Sequence, residues 1–247
     1  MAAVIGLLPA SGSASRLGGI PKFCLPLTDK QNILEWHVEQ MLKVCDTVNI
    51  STRSTWMPIV KQMNLPKEVM LYEIEPSTMS DALFKMMSNP ESKYIIGMPD
   101  TYMHNSDGEF YKQLAESNAD VTLAAFKCHD DLKGRVGQIK FDDSGLITDS
   151  LDKMSDCDYE YMWGALSLKN VYLNKELPHP GIQIMEWISS GKNVRAIIAK
   201  GNYMDIGTID GLKLFYKTIK IKINEYKNDT MYMYGSIFLV KSSKGIL

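Results

Sequence analysis

The residues best suited to chemistry lie in a small-residue loop near the N-terminus, Leu8–Lys22. Serine, glycine and alanine dominate its first half, so backbone N–H groups can approach phosphate oxygens without obstruction from long side chains. Arg16 and Lys22 add two cations six residues apart, and the first 28 residues contain no Asp or Glu. This pattern predicts an electropositive cradle for a polyphosphate, in which Arg16 and Lys22 are the catalytic cations.

The loop differs from the two most familiar phosphate-binding motifs. It lacks the GxGxxG spacing and later acidic residue of a dinucleotide-binding fold, and no Gly-Lys-Ser or Gly-Lys-Thr ends it as in a Walker A motif. The alternative is a flexible turn with an incidental arginine and lysine. The ordered succession of strand, small-residue loop, Arg16, Gly18-Gly19 and Pro21-Lys22 favours phosphate binding over that turn.

Two aspartates could hold the metal that triphosphate chemistry normally needs. Asp100 follows the apolar segment Tyr94–Met98, and α/β folds place ligands at the carboxyl ends of strands. Asp205 lies in the segment Tyr203–Thr208. Mg²⁺ binds through one or two carboxylates together with phosphate oxygens and water. We therefore expect Asp100 and Asp205 to bind Mg²⁺, although a turn or helix cap would also explain Asp100 taken alone.

The segment Leu7–Lys22 resembles the signature of the sugar-nucleotide pyrophosphorylases and related nucleotidyltransferases, L-x-P-A-x-G-x-x-[ST]-R-[LM] followed by P-K. The resemblance continues in matching order over about Ala3–Leu214. It implies a GT-A-like fold, an α/β doubly wound and mostly parallel sheet with a small antiparallel acceptor-binding insert. It also implies that Arg16 steadies the departing β and γ phosphates and that Lys22 contacts the α-phosphate.

The same resemblance implies the remaining site residues. The strand-end Asp100 and the D-I-G-T box at Asp205 are similar to family motifs whose aspartates chelate the metal. The nucleotide contacts that it implies are Leu8, Ala10, Ser11, Gly12, Ser13, Glu75, Ser80 and Asp100. The acceptor contacts that it implies are Gly137, Lys153 and Gly164.

The segment that would read the base departs from the family pattern Q-P-x-G-x-A-x-A-[LIV] at two positions. Thr78 replaces the glycine and Glu75 replaces the glutamine. An amide can donate and accept, whereas a carboxylate only accepts. Glu75 would therefore favour a base with an exocyclic amine, such as cytosine. A solvated glutamate at a strand end is the alternative.

Apolar periodicity predicts the elements that would position these residues. Strands alternate with helices over the first 126 residues, which favours right-handed βαβ units and a parallel sheet. The predicted strands of this region are Ala2–Leu8, Thr47–Ser51, Val69–Ile74, Tyr94–Met98 and Val121–Phe126. Strands of an antiparallel insert are predicted at Gln138–Phe141, Leu146–Ser150 and Met162–Leu168. We expect one domain over 1–247, in which 1–126 bind the nucleotide, 127–208 bind the acceptor and 209–247 form a C-terminal helix and tail.

The composition disfavours several other functions. A net charge of −2 suggests neither a nucleic-acid nor a membrane partner. The four cysteines and the four histidines show no metal-binding or disulfide spacing, so we expect reduced thiols, structural or surface histidines and a cytoplasmic protein. The expected partners are an NTP (CTP, UTP or dTTP) and a phosphorylated small-molecule acceptor. The oligomeric state, including a homodimer, stays open.

These observations together predict a nucleotidyltransferase that transfers NMP from an NTP to a sugar 1-phosphate and releases pyrophosphate. The main alternative is a cytidylyltransferase for a polyol phosphate, an amino-alcohol phosphate or a phosphonate. A GT-A glycosyltransferase would normally carry a D-x-D motif, and Asp100-Thr101-Tyr102 lacks it. A non-catalytic relative would be expected to lose Arg16, Lys22 or one of the two aspartates, and all are present.

Overall fold

The computed structural model describes residues 2–12, 21–28, 30–206, 209–219, 230–234, 237–242 and 245–246. Its first half contains β1 (Val4–Pro9), α1 (Ile33–Met41), β2 (Thr47–Thr52), α2 (Met57–Val60), β3 (Val69–Glu73), α3 (Met79–Met86), β4 (Lys93–Ile96), β5 (Thr101–His104), α4 (Glu109–Glu116) and β6 (Val121–Lys127). Its second half contains β7 (Gly137–Phe141), β8 (Ile147–Asp152), β9 (Tyr161–Lys169), α5 (Ile184–Ser189), β10 (Val194–Ile198), β11 (Asn202–Asp205), α6 (Ile209–Ile219), β12 (Thr230–Tyr234), β13 (Ile237–Ser242) and β14 (Gly245–Ile246).

The main sheet runs in the order β10-β6-β9-β4-β1-β2-β3. β1 pairs in parallel with β2 and β4, β2 with β3, and β10 with β6. Helices cover both faces of this sheet. Leu8 of β1 belongs to a buried cluster that includes residues of α1 and α4, whereas Leu7 packs in a cluster with residues of α3 and α5. The predicted α/β class and mostly parallel, doubly wound sheet are thereby confirmed.

The strand β9 differs from its predicted place in a separate antiparallel insert. It pairs antiparallel with β4 and β6 in the middle of the main sheet, and also with β7. Residues 162–168 are all buried, as expected of a strand covered on both faces. β7 and β8 form the hairpin that extends from the sheet beside it. The insert is therefore anchored to the sheet by a shared strand.

A two-stranded sheet of β5 and β11 was missed from the sequence. Each strand has four residues, and the two run antiparallel with Thr101 opposite Asp205. Five strands, β6 to β10, and two α-helices, α4 and α5, separate the two elements along the chain. No local periodicity could predict that pairing.

Helix starts follow the sequence closely. Asn32 caps α1, and Glu35 returns a hydrogen bond to the Asn32 backbone to complete a capping box. Thr78, at the position where the family has glycine, caps α3 by accepting from the backbone N–H of Asp81 at 3.1 Å. Thr78 thus has a structural role at the entry to the helix.

The C-terminal region is described only over short ranges. Of the C-terminal helix and tail predicted for 209–247, the helix is observed over Ile209–Ile219, and residues 220–229 lie outside the described ranges. Further along the chain, β12 and β13 form a hairpin that β14 extends. None of the described helices combines the length and the apolar character that a bilayer-spanning helix needs.

A buried hydrogen-bond chain ties two helices to the segment that follows Asp100. The Nε2–H group of His37 donates to the backbone oxygen of Thr101 at 3.0 Å. His37 Nδ1 lies 2.7 Å from the hydroxyl of Tyr111, from which it accepts when the ring is neutral. Burial is the main cause that lowers the pKa of His37 from 6.5 to about 4. His37 is therefore a neutral, structural histidine, as expected from the sequence.

The stability of the protein should depend on pH through His37. Between pH 4 and 6.5 the unfolded chain binds a proton on this histidine and the folded chain does not, so the free energy of unfolding rises with pH in that window. The size of the effect is roughly 3 kcal/mol. We expect His37→Gln to flatten this pH dependence in chemical denaturation, and His129→Gln, at an exposed position, to leave it unchanged. The same slope in wild type and His37→Gln would contradict the assignment.

Candidate active site

A cavity of about 460 Å³ lies at the carboxyl ends of β1 and β2, and we call it the loop cavity. Its walls come from Pro9–Gly12, Pro21–Phe23, Arg53, Pro76–Met79, Ala82 and Met98–Asp100. Ligands bind at this edge of open α/β sheets because neighbouring strands diverge into loops there. The loop cavity is therefore the first candidate for a nucleotide site.

The end of β1 supplies a wall of small residues. The N–H of Ala10 donates to the backbone oxygen of Ser51 at 2.9 Å, which continues the pairing with β2 beyond Pro9. The hydroxyl of Ser11 is buried and has no hydrogen-bond partner among the described residues. A methyl group added at Gly12 would meet no described atom within 4 Å. Space for a ligand thus lies directly beside the backbone of this segment.

Lys22 and Asp100 meet at the wall of the loop cavity. Lys22 begins a short 3-10 helix, Lys22–Cys24, whose Phe23 and Cys24 are buried and hold it in place. Its ammonium lies 3.0 Å from the Asp100 carboxylate. The Lys22 side chain is 15% exposed, whereas the Asp100 side chain is 48% exposed and can reach a ligand in the cavity. The two predicted residues therefore occupy one site, although 78 positions separate them.

Asp205 lies one strand away from Asp100. Its partner across the β5–β11 pair is Thr101, the residue directly after Asp100. The phenol of Tyr203 is close to both carboxylates: burial first, and then the charges of Asp100 and Asp205, raise its pKa well above the usual value. Arg135 forms an ion pair with Asp205 at 3.3 Å. The fold thus places Asp205 on the strand that pairs with β5, which begins directly after Asp100, with a cation beside each carboxylate.

Binding of Mg²⁺ by the two aspartates would have to be shared with the substrate. Mg²⁺ commonly uses only one or two carboxylates and completes its shell with phosphate oxygens and water. Among the described residues there is no group of three or more His, Cys, Asp and Glu side chains able to hold a metal. A cage built entirely from the described side chains is therefore absent, and Mg²⁺ binding by Asp100 and Asp205 stays a prediction.

The predicted acceptor residues lie around β7, β8 and β9. A methyl group on Gly137 would come within 2.3 Å of the indole nitrogen of Trp163, and one on Gly164 within 2.8 Å of the Phe126 ring. Lys153 is exposed, has a φ of 54° and donates its backbone N–H to Val136 at 3.2 Å. The two glycines therefore have a packing role, and acceptor binding by these residues stays a prediction.

A histidine lies beside the predicted acceptor lysine. His179 Nε2 lies 3.4 Å from the Asp152 carboxylate, and both side chains are about one-fifth exposed. The hydrogen bond from His179 is the main cause that lowers the pKa of the Asp152 carboxyl. The sequence predicted no role for His179 because it shares no local motif with residue 152.

Five predicted site residues lie away from the cavity wall or outside the described residues. Leu8 is fully buried in the core. Ser80 is fully buried, and its hydroxyl accepts from the amide of Gln183 at 3.1 Å. Glu75 is bonded to Arg53 and Ser54. Arg16 and Ser13 fall in the segment 13–20, outside the described residues. The roles of all five stay predictions.

Arg53 and Arg135 are site residues that sequence reasoning did not single out for chemistry. Arg53 lines the loop cavity and directly follows β2. Arg135 borders a second cavity of about 450 Å³, together with Asp205 and Tyr203. The position of Arg53 could have identified it as a candidate. A charged residue just after a buried parallel strand lies at the edge of the sheet where ligands bind.

Solved structures of proteins described as nucleotidyltransferases share this fold, as the sequence resemblance predicted. No family model matches the chain, and no curated protein matches it. Several solved structures match the chain over most of its length. A protein from Bacillus anthracis, described as a glucose-1-phosphate thymidylyltransferase in complex with a sucrose, matches with a TM-score of 0.70 and 14% identity, over 90% of this chain and 98% of that chain.

Two further solved structures agree. HddC from Yersinia pseudotuberculosis matches with a TM-score of 0.63 and 17% identity, over 87% of this chain and 98% of that chain. A UDP-glucose pyrophosphorylase complexed with UDP-glucose matches with a TM-score of 0.72 and 15% identity, over 89% of this chain and 99% of that chain. At such low identities these likenesses establish the fold.

Two glycines of the candidate site should respond differently to the same substitution. Gly137→Ala forces a methyl group against Trp163, so we expect the free energy of unfolding to fall by about 1–3 kcal/mol. Gly12→Ala fills open space and should change it by less than about 0.5 kcal/mol. Urea denaturation monitored by circular dichroism measures both. Equal stability of the two variants would contradict the packing described for Gly137.

Proposed function

We propose that this protein is a Mg²⁺-dependent nucleotidyltransferase that transfers a nucleoside monophosphate from an NTP to a sugar 1-phosphate and releases pyrophosphate. The observation that carries the proposal is the ion pair of Lys22 with Asp100 on the wall of the loop cavity. Asp205 lies across from the next residue, Thr101. Lys22 and Asp100 thus meet at the wall of the loop cavity, and Asp205 lies on the strand that pairs with the segment after Asp100.

The proposed reaction must overcome repulsion between two anions, the triphosphate and the phosphate of the acceptor. One pair of unit charges 4 Å apart costs about 4 kcal/mol at an effective dielectric constant of about 20. Several cations are therefore needed, and Lys22 contributes one at the loop cavity. When bound by Asp100 and Asp205, Mg²⁺ would neutralise phosphate charge and align the triphosphate.

The bond changes require alignment more than proton transfer. An acceptor phosphate oxygen attacks the α-phosphorus, a new P–O bond forms, and the bond from the α-phosphorus to the bridging oxygen breaks to release pyrophosphate. The attacking oxygen already carries negative charge, so no general base has to activate it. Lys22 would steady the charge on the α-phosphate oxygens as the attack proceeds. The neutral, structural state of His37 is consistent with this chemistry.

The acceptor class is supported by the structural neighbours. One is described as a glucose-1-phosphate thymidylyltransferase and another is a UDP-glucose pyrophosphorylase complexed with UDP-glucose. The polar pair His179 and Asp152 lies beside Lys153, which would bind the acceptor phosphate. A carboxylate paired with an imidazole can hydrogen-bond sugar hydroxyls. A sugar 1-phosphate is therefore the acceptor that we test first.

Pyrophosphate release with Mg²⁺ should identify the substrates and test the aspartates. CTP, UTP, dTTP and ATP are offered with sugar 1-phosphates, polyol phosphates, amino-alcohol phosphates and phosphonates. With the best pair, we expect Asp100→Asn and Asp205→Asn each to lower kcat/KM by roughly 100-fold or more, since metal-based charge stabilisation contributes several kcal/mol.

Asp143→Asn, at an exposed position in the β7–β8 turn, is the matched control and should keep full activity. Normal turnover by Asp205→Asn would remove Asp205 from the site. Activity only with a non-sugar acceptor would replace the sugar 1-phosphate in the proposal. No pyrophosphate release with any pair would refute the transferase function.

A further inference from the structure

Arg53 connects two walls of the loop cavity that are distant in the sequence. Its Nε–H group donates to the backbone oxygen of Ser11 at 2.7 Å. Its Nη1 group forms a close ion pair with the Glu75 carboxylate. Ser11 lies 42 positions before Arg53 and Glu75 lies 22 positions after it. One guanidinium therefore joins the segment after β1 to the segment after β3.

Glu75 is held on both of its oxygens. One oxygen pairs with Arg53, and the other accepts from the backbone N–H of Ser54 at 3.1 Å and from the Ser54 hydroxyl at 3.2 Å. The pKa of Glu75 is lowered, chiefly by the backbone hydrogen bond from Ser54, which keeps the carboxylate charged. Both oxygens of Glu75 thus accept hydrogen bonds from residues that follow β2. Arg53 is the member of this group that lines the loop cavity.

The bond to Ser11 fixes a peptide group at the cavity wall. A trans peptide is planar, and its C=O and N–H groups point in opposite directions. Because the Ser11 oxygen is held by Arg53, the direction of the Gly12 N–H in the same peptide is set as well. Gly12 lines the loop cavity, and no atom of the described residues lies within 4 Å of where its side chain would begin. A fixed backbone donor beside open space suits a phosphate or another nucleotide oxygen.

We propose that Arg53 is a positioning residue for the nucleotide and that Glu75 acts through Arg53 instead of reading the base directly. The proposal rests on the proposed function, because it assumes that a nucleotide occupies the loop cavity. Arg53 holds the Ser11–Gly12 peptide in the orientation that binds the nucleotide. Glu75 fixes the guanidinium in the rotamer that reaches Ser11, since a carboxylate and a guanidinium form a directional, charge-assisted pair.

The proposal differs in its consequences from direct base recognition by Glu75. A base-reading carboxylate would favour an exocyclic amine, so its loss would weaken CTP more than UTP or dTTP. A positioning role acts on the shared backbone contact, so its loss weakens every nucleotide by the same factor. Glu75 is 53% exposed in its side chain, and Glu75→Gln is therefore expected to fold.

The experiment measures the Kd of wild type, Arg53→Gln, Arg53→Lys, Glu75→Gln and the double variant Arg53→Gln/Glu75→Gln for each Mg²⁺–NTP by calorimetry, with steady-state kinetics beside it. We expect Glu75→Gln and Arg53→Gln to weaken CTP, UTP and dTTP binding alike, by about tenfold. The double variant should bind no more weakly than Arg53→Gln, because the two residues act as one unit. KM for the acceptor should stay unchanged, and Arg53→Lys should recover some of the loss.

The exposed ion pair of Glu109 with Lys112 on α4 provides matched controls. Glu109→Gln and Lys112→Gln should keep wild-type Kd values. A loss confined to CTP in Glu75→Gln would assign base reading to Glu75 and overturn the proposal, as would additive losses in the double variant or unchanged Kd values in both single variants. If the wild-type protein binds no NTP, the proposed function is refuted, and the positioning role of Arg53 is refuted with it.

Discussion

The antiparallel pairing of β5 with β11 is the constraint on which the candidate site depends. It places Asp205 opposite Thr101 and so brings a second carboxylate close to Asp100. Two like charges on neighbouring strands oppose this pairing. Lys22 at 3.0 Å from Asp100 and Arg135 at 3.3 Å from Asp205 offset that repulsion. Each of the two predicted metal ligands therefore lies beside a cation of the protein itself.

The main sheet determines where this arrangement lies. β1 runs between β2 and β4, so the segment after β1 meets the ends of both neighbours at one edge. His37 adds a constraint on the Asp100 side, because its ring is fixed between Tyr111 and the backbone of Thr101. A fully buried ring with both nitrogens in hydrogen bonds leaves little freedom to the segment that carries Asp100. Rigid helices thus hold a half-exposed carboxylate in a defined place.

Most of the sheet could be predicted from the sequence because its strands are continuous apolar runs. The segments of β1, β4 and β6 are long enough, and apolar enough, to be recognised locally. β5 and β11 were missed because neither is a continuous apolar run and each pairs with a partner far away in the chain. The place of β9 was missed for a related reason, since periodicity shows that a strand is buried but not which strands flank it. Lys22, Asp100 and Asp205 were predicted by motif. The structure adds the ion pair of Lys22 with Asp100 and the pairing of Asp205 with Thr101, and the roles of the three residues stay predictions.

The proposed role of Arg53 could be predicted neither from a motif nor from apolar periodicity. Its role depends on two contacts, to Ser11 and to Glu75, that only the parallel order of β1, β2 and β3 brings together. The contacts of Glu75 with Arg53 and Ser54 therefore change the interpretation of its departure from the family pattern. In the sequence, the carboxylate suggests hydrogen bonds to the base. In the fold, Ser54 and Arg53 already use its oxygens, so its charge influences the cavity through the position of a guanidinium. The role of the Glu75 carboxylate therefore depends on which protein groups donate hydrogen bonds to it in the fold.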